Sequence, residues 1–222
     1  MKLKLGLLLD VKNKMILKNV FMIIIGILLF VSCTTSQQEY VITELEYSDY
    51  VKVIKRAEWG WLPLEKGKEE AEIKRITIHH GGVEFTRDKD PVEAIRNLQK
   101  WSREEKEWID IPYHFMIDLD GRIYEARPIN YPGDTNTEYD PTGHALIEIM
   151  GNYEIQKFTE VQQKSLVEII TFLVKEFGIP LSEIKTHKDY SELTDCPGKD
   201  VYKYFQDSSI TKRIESLLDE NK

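Results

Sequence analysis

Two imidazoles and one thiol, His79, His187 and Cys196, are the side chains of this chain whose types could together hold one transition-metal ion. Zinc takes neutral imidazole nitrogen and thiolate sulfur, and a site with three protein ligands keeps its fourth position open for water or substrate. Such a site would make the chain a hydrolase. His79 ends the run IKRITIHHGG, where Ile73, Ile76 and Ile78 read as a buried strand stopped by Gly81 and Gly82. Neighbouring strand residues point to opposite faces, so His79 and His80 are not expected to serve the same ion. His187 stands nine residues before Cys196, and Pro197-Gly198 forces a turn directly after the thiol, which suits a loop that returns on itself. On residue type alone each keeps an ordinary reading, as a hydrogen-bonded histidine or a small buried cysteine.

The elements that must position these side chains are legible from periodicity. Apolar residues at helical spacing run from Pro91 to about Glu107, with Asp90 as N-cap and Pro91 in the first helical position. Tyr113 to Asp118 and Arg122 to Ala126 alternate around Asp120-Gly121, a hairpin signal. A second helix is expected from Glu160 to Phe177, with Thr159 as cap and Gly178-Ile179-Pro180 as its stop. A further amphipathic helix is expected from about Ser209 to Glu220. Strands and helices in this order predict an α/β single domain, a central mixed β-sheet flanked by α-helices.

Six segments, in order, resemble one family. They are RAEWGW from Arg56, ITIHHGG from Ile76, AIRNLQKW from Ala94, IPYHFMIDLDGRIYEAR from Ile111, ALIEIMGNYE from Ala145 and HKDYSELTDCPG from His187. Together, over roughly residues 51 to 206, they resemble the zinc-dependent N-acetylmuramoyl-L-alanine amidases of the type shared with peptidoglycan recognition proteins. The resemblance implies that fold, one Zn2+ ion held by His79, His187 and Cys196, and hydrolysis of the amide between N-acetylmuramic acid and L-alanine in peptidoglycan. His80 is then a neighbour of the metal and not a ligand.

By the same resemblance Tyr113 falls on the tyrosine that lies beside the zinc-bound water in catalytic members. Thr194 falls on a position held by Lys or Thr in the family. A phenol that stays protonated near neutral pH can donate to a developing oxyanion, and a threonine hydroxyl can do the same. Their ordinary readings are a packed aromatic and a loop hydroxyl that caps its own backbone. His80 and His144 are candidate substrate contacts, whereas His114, facing away from Tyr113 on the hairpin strand, reads as structural. Glu148 is a possible groove acid, with a solvent-facing charge as its plain reading. One departure from the family pattern is TGHALIEI, where Gly143-His144 runs straight into the strand and a Gly-His-Asn-Asn stretch is common in relatives; the groove wall there is expected to differ from theirs. Members that bind peptidoglycan without cutting it typically lack the cysteine ligand. The alternatives to the amidase are such a non-catalytic binding module, or a zinc hydrolase of another amide.

The start of the chain carries Lys2, Lys4, Lys12, Lys14 and Lys18, then the 12-residue apolar run VFMIIIGILLFV, then Ser32-Cys33. That length is short for a membrane span and suits a signal-peptide core. The small residue before Cys33 resembles a bacterial lipoprotein cleavage box. Residues 1–33 are thus expected to be a signal peptide ending in a lipidated cysteine, residues 34–50 a flexible tether and residues 51–222 the amidase domain. Translation from Met15, an uncleaved anchor, or a disulfide between Cys33 and Cys196 are the other readings. With Cys33 assigned to lipid, Cys196 has no disulfide partner left in the chain. Roughly 170 residues are enough for one domain with a proper core. The formal net charge of −8 argues against nucleic acid as a partner. Expected partners are peptidoglycan or its muropeptides and a membrane reached through an N-terminal lipid anchor. The expected setting is the bacterial cell envelope, for a monomeric chain.

Overall fold

The computed structural model describes residues 42–60, 62–64 and 70–220. The expected signal segment, Cys33, the first part of the tether and Trp61 lie outside the described residues. Among the described residues six strands form one sheet: β1 (Val53–Ile54), β2 (Arg75–His80), β3 (Phe115–Ile117), β4 (Ile123–Glu125), β5 (His144–Ile149) and β6 (Ile184–Thr186), in the order β1-β4-β3-β5-β2-β6. The β3–β4 hairpin is antiparallel and the other neighbours run parallel, so the sheet is mixed as expected. A central parallel strand is covered on both faces, which is why every residue of β5 is buried.

Among the described residues four helices accompany the sheet: α1 (Pro91–Glu104), α2 (Glu160–Phe177), α3 (Lys199–Gln206) and α4 (Ser209–Glu220). The start of α1 is set locally by the Asp90 side chain, which accepts from the Val92 N–H at 2.9 Å. Thr159 and Gln162 form a capping box at the start of α2, and Gly178 ends it in the left-handed region at φ 64°. Helix α1 stops three residues short of the expected Glu107, and α3 was not anticipated from periodicity.

Strand alternation sorts side chains to two faces. Ile76 and Ile78 of β2, Ala145, Ile147 and Ile149 of β5, and Phe115 and Ile117 of β3 share a core with Leu166, Ile169, Ile170 and Leu173 of α2 and with Ile210 and Ile214 of α4. Each isoleucine, leucine and phenylalanine among them contributes about 1.5–3 kcal/mol on burial. The opposite face carries Met116 and Tyr124, packed with Trp59 and with Ile95 of α1. Between them, on that second face, β2 and β5 present Thr77, His79 and Glu148.

The end of the expected tether is not free. Leu45 is buried in the main core, the Tyr47 hydroxyl donates to Glu125 Oε1 at 2.9 Å, and the Thr43 N–H donates to Asn130 Oδ1 at 3.1 Å. The Tyr47 ring meets Phe172 of α2 at 5.1 Å between centroids. A polar composition concealed anchors enough to pack residues 43–50 onto the domain.

Candidate metal centre and its cleft

Two chain segments far apart in sequence, one carrying His79 and the other His187 and Cys196, meet at the carboxyl end of the parallel strands. In β2, His79 stands on the second face; β6 pairs Thr186 with Ile78, so His187, the next residue, arrives beside His79. The two rings lie 4.6 Å apart between centroids. Cys196 is brought back to them by a backbone bond from the Lys188 N–H to the Cys196 carbonyl at 2.8 Å. One donor atom from each of His79, His187 and Cys196 lies within 4.8 Å of the others, and all three residues are buried. Cys196 Sγ is 3.6 Å from His79 Nδ1 and accepts from the His80 backbone N–H at 3.3 Å.

The local electrostatics match a ligand set. Burial, helped by the charges of neighbouring histidines, holds His79 well below the usual imidazole range. Burial brings His187 down to about 4. Both rings are therefore neutral at pH 7, with a lone pair to give. Burial pushes the Cys196 thiol up to about 12, and Glu148 adds to that push. A cation at the shared point would favour the thiolate there.

The cluster opens on a cleft of about 440 Å³ whose lining includes His79, His80, Tyr113, Glu148, His187, Thr194 and Cys196. Tyr113 approaches the His79 ring at 5.2 Å between centroids. Burial, then the nearby Glu148 and Cys196, raise its phenol well above 10, so it is protonated and can donate. The Thr194 hydroxyl accepts from the Cys196 N–H at 3.1 Å, which fixes the loop and still leaves its own proton to give. His80 lines the cleft, with its Nδ1 accepting from the Tyr153 N–H at 3.2 Å. The further wall is apolar, formed by Leu98, Trp101 and Trp108.

Two expectations change at this point. His144 is not part of the cleft lining: it begins β5, at the opposite end of the strands from the cluster, and its Nδ1 is bonded to the Thr77 hydroxyl at 2.8 Å. Its ring is enclosed by Tyr139 and Tyr190, at 5.7 and 4.9 Å between centroids. Glu148 is no solvated charge. It is 4% exposed, lines the cleft, and is the lateral partner of His79 across β2 and β5. Burial pushes its carboxyl up to about 8, and its Oε2 is buried without a hydrogen-bond partner among the described residues. The groove reading of Glu148 is the one that matches its place in the cleft, and the register between two strands is what puts it beside His79. His114 is structural, as expected, bridging the Tyr131 carbonyl at 2.9 Å and the Leu146 N–H at 2.8 Å.

A family model described as N-acetylmuramoyl-L-alanine amidase matches residues 69–199. Peptidoglycan recognition protein 1 of Mus musculus is 28% identical over 158 residues, covering 69% of this chain and 86% of the mouse protein. Among solved structures, Drosophila peptidoglycan recognition protein SD matches with a TM-score of 0.61 at 26% identity, covering 70% of this chain and 94% of that one. The N-acetylmuramoyl-L-alanine amidase LysC from Clostridium intestinale shares the fold, with a TM-score of 0.55 at 23% identity over 67% of this chain and 90% of its own. The chain belongs to the N-acetylmuramoyl-L-alanine amidase family.

Proposed function

We propose that the chain hydrolyses the amide between N-acetylmuramic acid and L-alanine in peptidoglycan, with one Zn2+ held by His79, His187 and Cys196. The observation that carries this reading is the buried cluster of two neutral imidazoles and a thiol, open to a cleft that also holds Tyr113 and Glu148. The donor set fits zinc: borderline nitrogen and soft sulfur, three in number, with one side left to the cleft. A bound zinc ion supplies a Lewis acid for the carbonyl and lowers the pKa of water towards about 7.

The chain's own groups then divide the work. Glu148 Oε2, which has no hydrogen-bond partner among the described residues, takes a proton from the attacking water and returns it to the leaving nitrogen. Burial alone raises this carboxyl, and a nearby cation draws it back towards the ionised form that a base requires. The Tyr113 hydroxyl donates to the carbonyl oxygen as charge develops there. Thr194 offers a second, weaker donor at the cleft rim, and His80 offers its exposed edge to the substrate.

The names of the similar proteins support peptidoglycan as the ligand, and the family description supports the amidase reaction. A non-catalytic binding module is the competing function, because the family includes recognition proteins; the Cys196 thiol completing the cluster favours the enzyme. The basic start, apolar run and Ser32-Cys33 support a place in the bacterial cell envelope through a lipid anchor. Purified cell wall incubated with the zinc-loaded chain is expected to gain new alanine amino termini, and to gain none in excess chelator. Tight binding to the wall without new termini would favour the binding module.

A further inference from the structure

We infer that Thr137 and Tyr139 are positioning residues that fix both histidine ligands, each by a hydrogen bond to Nε2, so that Nδ1 of both rings is turned to the metal. The inference rests on the zinc reading above. Thr137 Oγ1 lies 2.6 Å from His187 Nε2, and the Tyr139 hydroxyl lies 3.2 Å from His79 Nε2. His79 Nδ1 is the nitrogen that faces Cys196 Sγ, at 3.6 Å. A ring nitrogen that gives its lone pair to a metal leaves the other as N–H, and that N–H needs an acceptor when buried. Both hydroxyl oxygens are placed to accept.

One loop, between β4 and β5, carries both hydroxyls, and that loop is tied down on either side. At its start, the buried Arg127 guanidinium bonds the Pro132 carbonyl and Asp134 Oδ2, the latter at 2.5 Å, while its Nε donates to the Ile111 carbonyl at 2.6 Å. Further on, Glu138 Oε2 accepts from the Ser191 hydroxyl at 2.9 Å, and the Tyr139 ring stacks on Tyr190 at 5.4 Å. Thr135 Oγ1 lies 3.0 Å from Thr137 Oγ1, so the hydroxyl that holds His187 is itself held. The Ser191 and Tyr190 contacts join the loop to the segment that delivers His187 and Cys196. The same layer accounts for His144, whose bond to Thr77 fills the space behind Tyr139. Removing an outer partner of this kind typically costs 10–100-fold in metal affinity.

The test compares the full chain with T137V, T137S and Y139F, each stripped of metal, checked for folding by thermal melting, and titrated with zinc against a chromophoric chelator. T137V and Y139F are expected to bind zinc about 10–100-fold more weakly, with T137S restoring the parent affinity. In the zinc-loaded parent, nitrogen-15 spectra of the side chains are expected to place the proton of both ligand rings on Nε2. Folded T137V and Y139F that hold zinc as tightly as the parent, or protons found on Nδ1, overturn the inference. If Y139F does not fold, the T137V and T137S pair decides alone. A parent chain that binds zinc, responds to these changes and releases no peptide from the wall would refute the amidase and leave this inference standing. An active amidase with indifferent zinc affinity would do the reverse.

Discussion

His79 and Glu148 are lateral neighbours on the parallel strands β2 and β5, so an imidazole of the metal cluster and a buried carboxyl share one face of the sheet. The pairing sets a buried carboxyl beside the cluster without any loop to hold it. Rigid strands position such a pair better than a loop can.

Replacement of Glu148 with Gln keeps the shape and removes the proton carrier. The expected result is a fall in kcat of about 10²–10⁴, with zinc content and KM nearly unchanged. A variant with kcat close to the parent would remove Glu148 from the chemistry.

For Tyr113→Phe the loss is confined to one donor. Removing a single oxyanion donor costs on the order of 10²–10³ in kcat, so the steady-state rate on a muropeptide should fall within that range while the metal stays bound. Thr194→Val should cost less, because an aliphatic hydroxyl is a weaker donor than a phenol. The reverse order of effects would exchange the two roles.

Gly81 leaves room for the carboxyl. A Cβ built at that residue would approach Glu148 Oε1 to 2.6 Å, closer than real contacts allow. Gly81→Ala should therefore push the carboxyl aside and lower kcat without unfolding the chain. Unaltered kinetics in this variant would show that the carboxyl has room to move without consequence.

Acid should destabilise the metal-free chain through its buried histidines. Burial lowers His114 to about 3 and His144 to about 4, against an unfolded value of about 6.5. Both are depressed, so their contribution is present above about 6.5 and is lost as the pH falls towards 4, with each group adding a slope of up to about 1.4 kcal/mol per pH unit. Urea unfolding at pH 7 and pH 5 in excess chelator should show this loss, and His144→Gln should be less stable at pH 7 yet fall less steeply. Equal slopes for the two chains would contradict the assignment.

Much of the scaffold was legible because its signals are local. Asp90, Thr159 and Gly178 each fix a helix end through neighbours a few residues away, and the β3–β4 turn at Gly121 announces itself. The three ligand candidates were readable from type and resemblance, and the structure gathers them into one cluster. Glu148 was legible only as a possible groove acid; its place beside His79 comes from the strand paired with it. His144 was misplaced for the converse reason: next to Gly143 it read as part of a groove loop, but parallel pairing carries it to the far end of the strands. Thr137 and Tyr139 left no pattern at all, since a loop hydroxyl shows no periodicity and its partner lies 50 or 60 residues away. Leu45 and Tyr47 hid in a polar stretch, where too few apolar residues stood together to mark a packed segment.

The most direct measurement is mass spectrometry of muropeptides digested by the zinc-loaded chain, by the chelator-treated chain and by Cys196→Ser. The account predicts free stem peptide and peptide-free muramic acid from the first sample only. Products cut within the stem peptide, or equal release from all three, would contradict it.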